Sequence, residues 1–280
     1  MKEVNMKKIH IDSIYFEHLL RCINNDGSEL NLKLVDNGSE GFVIKDYDKA
    51  IKIYKSFYNY FVDGTYDNKS GLDEHLALKA RTNQYSNNHA TNKMVVADSL
   101  LFLNNYSDII PIGCVMPYQE LNFKYNNFKV LRENGELDHM VNFAILASDA
   151  IKDMHNKYNV HRDIHAKNIG ITSNDDICIF DCDGCYIGAE DSSKKPSTAA
   201  FYQKFVADVN TVEYDKYCTS LMILQLFSNY YISFTSEKSI KKSINRLRIK
   251  NEGLTNYFMT LLNPSIEQEY IGDVLKKTLK

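Results

Sequence analysis

The chain contains no tryptophan, no internal repeat and no long unbroken run of apolar residues. A helix that spans a bilayer needs about 20 apolar residues in succession, so the sequence predicts no membrane partner. The opening stretch has lysines but no apolar run of the signal-peptide type, and we therefore expect a cytoplasmic protein. Six cysteines are spread along the chain without an export signal, which favours reduced thiols. The missing tryptophan indicates a bias of composition and nothing about chemistry.

The chain also has no excess of charge of one sign. Its 33 lysines and arginines and 36 aspartates and glutamates give a formal net charge of -3. Nucleic-acid-binding proteins are usually strongly basic, so we expect no nucleic-acid partner. The apolar share of 44% and the charged share of 25% are ordinary for a globular protein. A chain of 280 residues is long enough for one large domain or two smaller lobes.

The pattern of apolar residues divides the chain into three parts. Residues 1–30 have apolar residues at helical spacing and are predicted to be an N-terminal extension. Residues 31–118 contain short strand-like runs and one helix over 72–85, which predicts a small antiparallel β-sheet lobe. Residues 119–280 are mainly helical, with a loop-and-strand segment at 160–188. The expected fold class is α+β, with the sheet lobe first and a larger helical lobe second.

The segment with the most chemical information is H-R-D-I-H-A-K-N at residues 161–168, followed by two short apolar runs and then D-C-D at 181–183. Phosphoryl transfer needs groups that place an acceptor hydroxyl in line with a γ-phosphate and groups that hold metal ions. Carboxylates and amide oxygens serve both purposes. The polar residues 173–175 separate the apolar runs and predict a hairpin. Asp and Asn also occur wherever a chain reverses, so a purely structural turn is the alternative interpretation.

The 161–168 segment matches H-R-D-x-x-x-x-N, the catalytic-loop signature of protein kinases, and the hairpin and aspartate that follow match the metal-binding segment of that family. The chain therefore resembles a protein-kinase-like phosphotransferase over residues 32–275. The resemblance implies a bilobal kinase fold that uses ATP and Mg²⁺. It implies that Asp163 orients or deprotonates the acceptor hydroxyl and that Asn168 and Asp181 bind Mg²⁺. Asp215, at the start of a predicted helix, would hold the catalytic loop in place.

The first lobe contains a turn that resembles the kinase glycine-rich loop. The segment D-N-G-S-E-G-F-V at residues 36–43 matches that loop at Gly38, Gly41 and Val43, with Asp36 where the first glycine would be. Glycines at such positions allow backbone N–H groups to approach phosphate. Two glycines at this spacing are also found in ordinary hairpin turns.

A second match in the first lobe is A-I-K-I at residues 50–53, which resembles the V-A-I-K of the third kinase strand. It predicts that Lys52 binds the α- and β-phosphates of ATP, and an exposed strand lysine is the alternative. Glu74, on the helix where apolar residues recur with Lys79 at helical spacing, is predicted to pair with Lys52. The connection that follows the last strand, with Met116 and Tyr118, is expected to lie near the nucleotide.

Three departures from the kinase pattern leave the phosphate acceptor open. Asp183 stands where protein kinases usually have glycine, as in small-molecule kinases of the aminoglycoside and choline type, and is a candidate metal ligand. His165 replaces the usual lysine of Ser/Thr kinases, and Lys167 is expected to supply the missing positive charge. No Ala-Pro-Glu follows Asp181. The segment K-K-P-S-T-A-A-F at residues 194–201 takes its place, and Ser192, Ser193, Ser197 and Thr198 are candidates for phosphorylation.

Three functions fit these residues. The first is a Ser/Thr protein kinase with a protein substrate, and the second is a phosphotransferase for a small hydroxylated molecule. The third is a pseudokinase that binds nucleotide or a partner without turnover, against which the retained Lys52, Asp163 and Asp181 argue. The pair Cys182-x-x-Cys185 has no second pair or histidine at ligand spacing, so a zinc site is not expected.

Overall fold

The computed structural model describes residues 6–26, 30–38, 40–62, 64, 69–104, 106–107, 110–121, 128–134, 136–186, 208–228, 237–263 and 266–279. These residues form an α+β protein in two compact units. Unit 1 contains the described residues within Met1–Asn88 and Val95–Gln119. Unit 2 contains those within His89–Met94, Glu120–Tyr186 and Lys194–Lys280.

Eight strands and nine α-helices lie in the described part of the chain. The strands are β1 (Lys7–Ile11), β2 (Leu32–Asn37), β3 (Gly41–Asp46), β4 (Lys49–Tyr54), β5 (Ser99–Leu103), β6 (Gly113–Pro117), β7 (Ile169–Ile171) and β8 (Ile177–Ile179). The helices are α1 (Ser13–Asn24), α2 (Lys55–Phe61), α3 (Lys69–Asn88), α4 (Phe128–Asn134), α5 (Leu137–Asn156), α6 (Val212–Ser228), α7 (Glu237–Ile244), α8 (Glu252–Thr260) and α9 (Ile271–Thr278).

Unit 1 is built around a six-stranded sheet with the strand order β1-β5-β6-β4-β3-β2. Strands β2, β3 and β4 form the predicted antiparallel meander, and β6 is antiparallel to both β4 and β5. The edge strand β1 runs parallel to β5. The sheet is therefore mixed, and the prediction of a wholly antiparallel sheet is wrong at this edge.

The parallel edge strand comes from the predicted N-terminal extension. Asp12 has an extended backbone and its carboxylate accepts the N–H of Tyr15 at 2.8 Å, so it is the N-cap of α1. The helix consequently begins at Ser13, and the five residues before the cap, Lys7–Ile11, pair with β5. Ile9, which fits the helical spacing of the sequence, belongs to the strand. The helix that follows buries Phe16 and Leu19 in the core of unit 1.

One face of the unit 1 sheet carries buried aliphatic side chains, and the other carries Lys52. Cross-strand partners point to the same face, and successive residues of a strand point to opposite faces. Ile44, Ile51 and Val115 are partners in register on one face and belong to the buried apolar core. The opposite face carries Lys52 together with its partners on β3 and β6.

Unit 2 is mainly helical, as the sequence predicts for this part of the chain. The long helix α5 packs against α6, α9 and strand β8. Helix α6 is buried on nearly all sides, with Leu221, Leu224 and Phe227 completely covered. A helix of this kind occurs in the centre of a domain or in a bilayer. No helix among the described residues has both the length and the apolar character needed to cross a membrane.

Candidate functional site

A hairpin in unit 2 brings Asn168 close to the segment that contains Asp181. Strands β7 and β8 pair antiparallel with Ile169 opposite Ile179, which is the hairpin the sequence predicts. One step beyond this pair, the N–H of Phe180 donates to the carbonyl of Asn168 at 2.8 Å. Asp181 is the next residue, with a left-handed φ of 59°. The two residues predicted to bind metal therefore lie at the same open end of one hairpin.

The hairpin is fixed to another segment of unit 2. The N–H of Ile179 donates to the carbonyl of Lys93 at 2.7 Å, and Met94 forms a parallel bridge with Ile179. At the turn, the Lys93 ammonium forms an ion pair with the carboxylate of Asp176. This hydrogen bond from Lys93 holds the pKa of Asp176 below its ordinary value. The closed end of the hairpin is thus held by a charged contact.

The loop that carries Asp163 closes on itself through Asn168. The side-chain amide of Asn168 donates from Nδ2 to the carbonyl of Asp163 at 2.9 Å, and the same Nδ2 lies 3.4 Å from the Asp163 carboxylate. The backbone N–H of Asn168 donates to the carbonyl of His165 at 2.9 Å. Because Nδ2 is engaged with Asp163, the amide oxygen Oδ1 is the atom of Asn168 suited to bind a cation.

His165 contacts the carboxylate of Asp163. Its Nδ1 accepts the backbone N–H of Lys167 at 3.1 Å, so the proton of a neutral ring lies on Nε2. That Nε2 is 3.4 Å from Oδ2 of Asp163, and both side chains are about three-quarters buried. The Lys167 side chain is exposed. The imidazole of His165 and the side-chain amide of Asn168 are therefore both in contact with this carboxylate.

Asp215, at the start of α6, holds the loop by its backbone. Its carboxylate is completely buried and accepts the N–H of His161 at 2.6 Å and the N–H of Arg162 at 2.9 Å. Arg162 has a left-handed φ of 70°, which residues other than glycine seldom adopt. The contact that the kinase resemblance implies for Asp215 is present, and it stabilises this unusual backbone.

Two further residues that the sequence did not single out support Asp215. Nε2 of His155, at the end of α5, lies 3.1 Å from the Asp215 carboxylate, and its Nδ1 lies 2.9 Å from the hydroxyl of Tyr270. Burial raises the pKa of Tyr270 to about 12, so its hydroxyl stays protonated. These three residues come from three separate segments of the chain. No local spacing in the sequence could have indicated their contact.

The side chains of His161 and Arg162 connect the loop to the segment that follows β8. Nε2 of His161 lies 2.7 Å from the carbonyl of Phe180, and Nε of Arg162 donates to the carbonyl of Gly184 at 2.9 Å. These two carbonyls lie on either side of residues 181–183. The loop with Asp163 and the segment with Asp181 and Asp183 are therefore held by the same two side chains.

The residues of this site fit Mg²⁺ by their chemistry. Mg²⁺ binds oxygen ligands and is usually held by one or two carboxylates together with waters and phosphates of the substrate. Asp181 is half-buried and Asp183 is buried, and Asn168 has its amide oxygen available. Among the described residues, no three side chains of His, Cys, Asp or Glu are grouped so as to hold a metal ion without other ligands.

In unit 1, three of the predicted nucleotide-binding residues, Val43, Lys52 and Met116, lie on neighbouring strands of one sheet. Val43 is opposite Lys52 in the pairing of β3 with β4, and Ala50 is opposite Met116 in the pairing of β4 with β6. Because Ala50 and Lys52 alternate by two residues, all four side chains point to the same face. Lys52 is buried, with 7% of its surface exposed. Lys52 is therefore not the exposed strand lysine of the alternative interpretation.

The turn between β2 and β3 lies against Lys52. The N–H of Gly38 donates to the carbonyl of Gly41 at 3.0 Å and closes the turn. A Cβ on Gly41 would lie 3.1 Å from Cγ and Cε of Lys52 and 2.9 Å from the carbonyl oxygen of Ile53. Glycine at position 41 therefore allows the lysine side chain to pass directly over the turn. The ring of Tyr118 lies 4.0 Å from Nζ of Lys45, and Lys45 is the register partner of Ala50 on the same face of the sheet as Lys52.

Helix α3 buries a lysine within unit 1, whereas the sequence predicts an ion pair from a glutamate of this helix. Glu74 is exposed, and its pairing with the buried Lys52 stays a prediction. The buried polar residues of α3 include Lys79, whose Nζ is 2.5 Å from Oε2 of Glu40. One turn further along, the amide of Asn83 donates to the hydroxyl of Tyr54 at 2.9 Å.

The segment 192–201, with the serines and the threonine predicted as phosphorylation sites, lies outside the described residues. A comparison of the sequence with models of known protein families finds no match, and a search of curated proteins also finds none. Function must therefore be inferred from the residues of this chain and their contacts.

Proposed function

We propose that the protein is an ATP-dependent phosphotransferase in which Asp163 is the catalytic carboxylate. The observation that carries this proposal is the contact of Asp163 with Asn168 at one end of a hairpin that also brings Asp181 to that end. A carboxylate beside oxygen ligands for Mg²⁺ is the arrangement that phosphoryl transfer requires. A turn with only a structural role has no need of a largely buried carboxylate in contact with an imidazole and an amide.

In the proposed reaction the oxygen of an acceptor hydroxyl forms a bond with the γ-phosphorus of ATP. The bond from that phosphorus to the β–γ bridging oxygen breaks, and ADP leaves with the electron pair. The hydroxyl proton passes to the carboxylate of Asp163, which lies 3.4 Å from the side-chain amide of Asn168. Bound at Asn168, Asp181 and Asp183, Mg²⁺ would supply the positive charge that neutralises the phosphates.

The groups of unit 1 fit the binding of ATP. Lys52 is a buried cation on the face that also carries Val43 and Met116, and the glycine turn lies directly against its side chain. We assign Lys52, Gly38 and Gly41 to the phosphates and Val43, Met116 and Tyr118 to the rest of the nucleotide. Backbone N–H groups of a glycine turn and a lysine ammonium are the usual ligands of nucleotide phosphates.

The acceptor is proposed to be a serine or threonine hydroxyl of a protein. A small hydroxylated molecule is the second candidate, and the contact of His165 with Asp163 favours it, because small-molecule kinases often have histidine at this position. Either acceptor uses the same carboxylate and the same metal ligands. The two candidates therefore differ in the substrate and not in the chemistry.

Transfer from γ-labelled ATP with Mg²⁺ tests the proposal. The wild-type protein would be compared with Asp163→Asn and Asp181→Asn, using the protein itself, a generic protein substrate and a panel of amino alcohols as acceptors. We expect transfer to one of these acceptors and a loss of about a hundredfold or more in both variants. Asp149→Asn is the matched control, because Asp149 is an exposed carboxylate of unit 2 that pairs with Lys276.

Label on a protein would identify a protein kinase, and label on an amino alcohol would identify the small-molecule alternative. Full activity in Asp163→Asn would exclude the proposed mechanism. ATP binding without transfer to any acceptor would indicate the pseudokinase.

A further inference from the structure

Two lysines of unit 1 are buried although lysine is usually exposed. Of the lysines whose side chains the structure describes, these are Lys52 on β4 and Lys79 on α3, with 7% and 8% of their surface exposed. Burial of an ammonium group is unfavourable unless an anion or several acceptors surround it. A buried lysine therefore needs a structural ion pair, several hydrogen-bond acceptors or an anionic ligand.

The two buried lysines approach neighbouring residues of one turn. Nζ of Lys79 is 2.5 Å from the carboxylate of Glu40, and Cε of Lys52 would be 3.1 Å from a Cβ on Gly41. Helix α3 is held next to this turn, because Asn83 donates to the hydroxyl of Tyr54. Tyr54 is in turn the register partner of Gly41 in the sheet. The convergence of the two lysines thus follows from fixed contacts of the strand and the helix.

The turn itself is held by backbone hydrogen bonds. The N–H of Gly38 donates to the carbonyl of Gly41 at 3.0 Å, and the N–H of Lys55 donates to the carbonyl of Glu40 at 2.9 Å. The side chain of Glu40 is half-exposed at 49%, whereas that of Lys79 is 10% exposed. The carboxylate of Glu40 can therefore move into solvent while the backbone of the turn stays in place.

We propose that Lys79 is a second phosphate-binding residue and that Glu40 competes with the nucleotide for its ammonium group. This inference rests on the proposed function, since it needs Gly38 and Gly41 to bind the phosphates of ATP. Without nucleotide, Glu40 neutralises Lys79. When nucleotide binds, a phosphate oxygen replaces the carboxylate and Glu40 turns toward solvent. Glu40 thereby lowers the affinity for nucleotides, and Lys79 raises it.

A purely structural ion pair predicts the opposite effect of removing Glu40. If Lys79 and Glu40 only stabilise the fold, then Glu40→Gln weakens the turn and leaves nucleotide affinity unchanged or lower. If Glu40 competes with phosphate, Glu40→Gln removes a negative charge next to the phosphates, and the affinity rises. The sign of this one change separates the two roles.

The test is isothermal titration calorimetry with ATP and Mg²⁺, and separately with adenosine, which has no phosphate. For ATP we expect Glu40→Gln to bind about tenfold more tightly and Lys79→Met about ten- to hundredfold more weakly, which is the usual range for a hydrogen bond to a charged group. Lys79→Arg is expected to recover part of the affinity. Adenosine affinity is expected to be the same in every variant.

Lys69→Met is the matched control, because Lys69 lies on the same helix in an exposed ion pair with Asp73. Unchanged or weaker ATP binding in Glu40→Gln would overturn the inference, even if Lys79→Met does not fold. A second result is that the wild-type protein transfers phosphate while Glu40→Gln and Lys79→Met both bind ATP with wild-type affinity. That result would overturn this inference and leave the proposed function in place. Wild-type protein that binds no ATP would overturn the proposed function as well.

Discussion

Replacement of Asp215 by alanine tests whether the loop with Asp163 depends on a single buried carboxylate. Asp215 accepts the backbone N–H groups of His161 and Arg162 at 2.6 Å and 2.9 Å, and all three residues are buried. In Asp215→Ala both N–H groups lose their acceptor. The imidazole of His155, 3.1 Å from the same carboxylate, loses the partner of its Nε2 and keeps the contact of its Nδ1 with Tyr270.

The expected loss of stability follows from these contacts. A buried donor left without an acceptor costs about 1–3 kcal/mol, so two backbone N–H groups predict a loss of about 2–6 kcal/mol. The total stability of a domain is about 5–15 kcal/mol, so this change is a large fraction of it. In Asp215→Asn the amide oxygen can still accept one N–H group while its NH₂ group opposes the other. We expect about half the loss in that variant.

Urea unfolding followed by far-ultraviolet circular dichroism measures this effect, since the chain has no tryptophan to report by fluorescence. Hydrogen exchange at the amides of His161 and Arg162 would locate it. Asp149→Ala is the control, because the exposed pair of Asp149 with Lys276 contributes at most about 1 kcal/mol. If Asp215→Ala unfolds within about 1 kcal/mol of the wild type, the loop is held by other contacts and our account of it is wrong.

Two other predictions concern unit 2. In Gly272→Ala the new Cβ would lie 2.9 Å from Cβ of Ser148, so α9 must move away from α5, and urea unfolding should show a loss of about 1–3 kcal/mol. The ion pair with Lys93 lowers the pKa of Asp176, so its contribution is complete above the ordinary carboxyl pKa and disappears as the pH falls through the lowered value. Thermal unfolding between pH 6 and pH 2.5 should therefore show a smaller acid-induced decrease in Asp176→Asn than in the wild type, and equal decreases would contradict this.

The long helices and the hairpin of unit 2 follow from periodicity in the sequence. Apolar residues at spacings of three and four predict the helix that the structure places at Leu137–Asn156. Two apolar runs around a polar turn predict strands β7 and β8, which pair as expected. Such patterns are informative because each element buries one face against its neighbours, and the spacing of apolar residues records that face.

The edge of the unit 1 sheet could not be predicted in the same way. Residues 7–11 have no strand pattern that differs clearly from a helical one, and their pairing with β5 depends on a segment far along the chain. Helix α2 begins directly after β4, and its N-cap Tyr54 makes no side-chain capping bond. Without a cap or a break, the sequence offers no local signal for a change from strand to helix.

The contacts of the candidate site are also of two kinds: those within one short motif and those between distant segments of the chain. Asp163 and Asn168 belong to one contiguous motif, so their contact is local and could be read from the sequence. The support of Asp215 by His155 and Tyr270 joins residues from three different segments. Periodicity indicates which face of a helix is buried but not which residue lies opposite. Contacts of this second kind therefore appear only in the folded chain.

Helix α3 illustrates how a buried charge can be found in a sequence even when its partner cannot. Leu72, Leu76 and Lys79 follow one another at helical spacing, and the structure buries all three. A lysine within an apolar stripe must meet an anion when the helix packs, because an unpaired buried ammonium is strongly unfavourable. The kinase resemblance predicts an ion pair between a glutamate on the helix and a lysine on the strand, whereas this stripe predicts a lysine on the helix and a carboxylate near the sheet. The contact of Lys79 with Glu40 fulfils that requirement, and it places a second cation beside the turn proposed to bind phosphate.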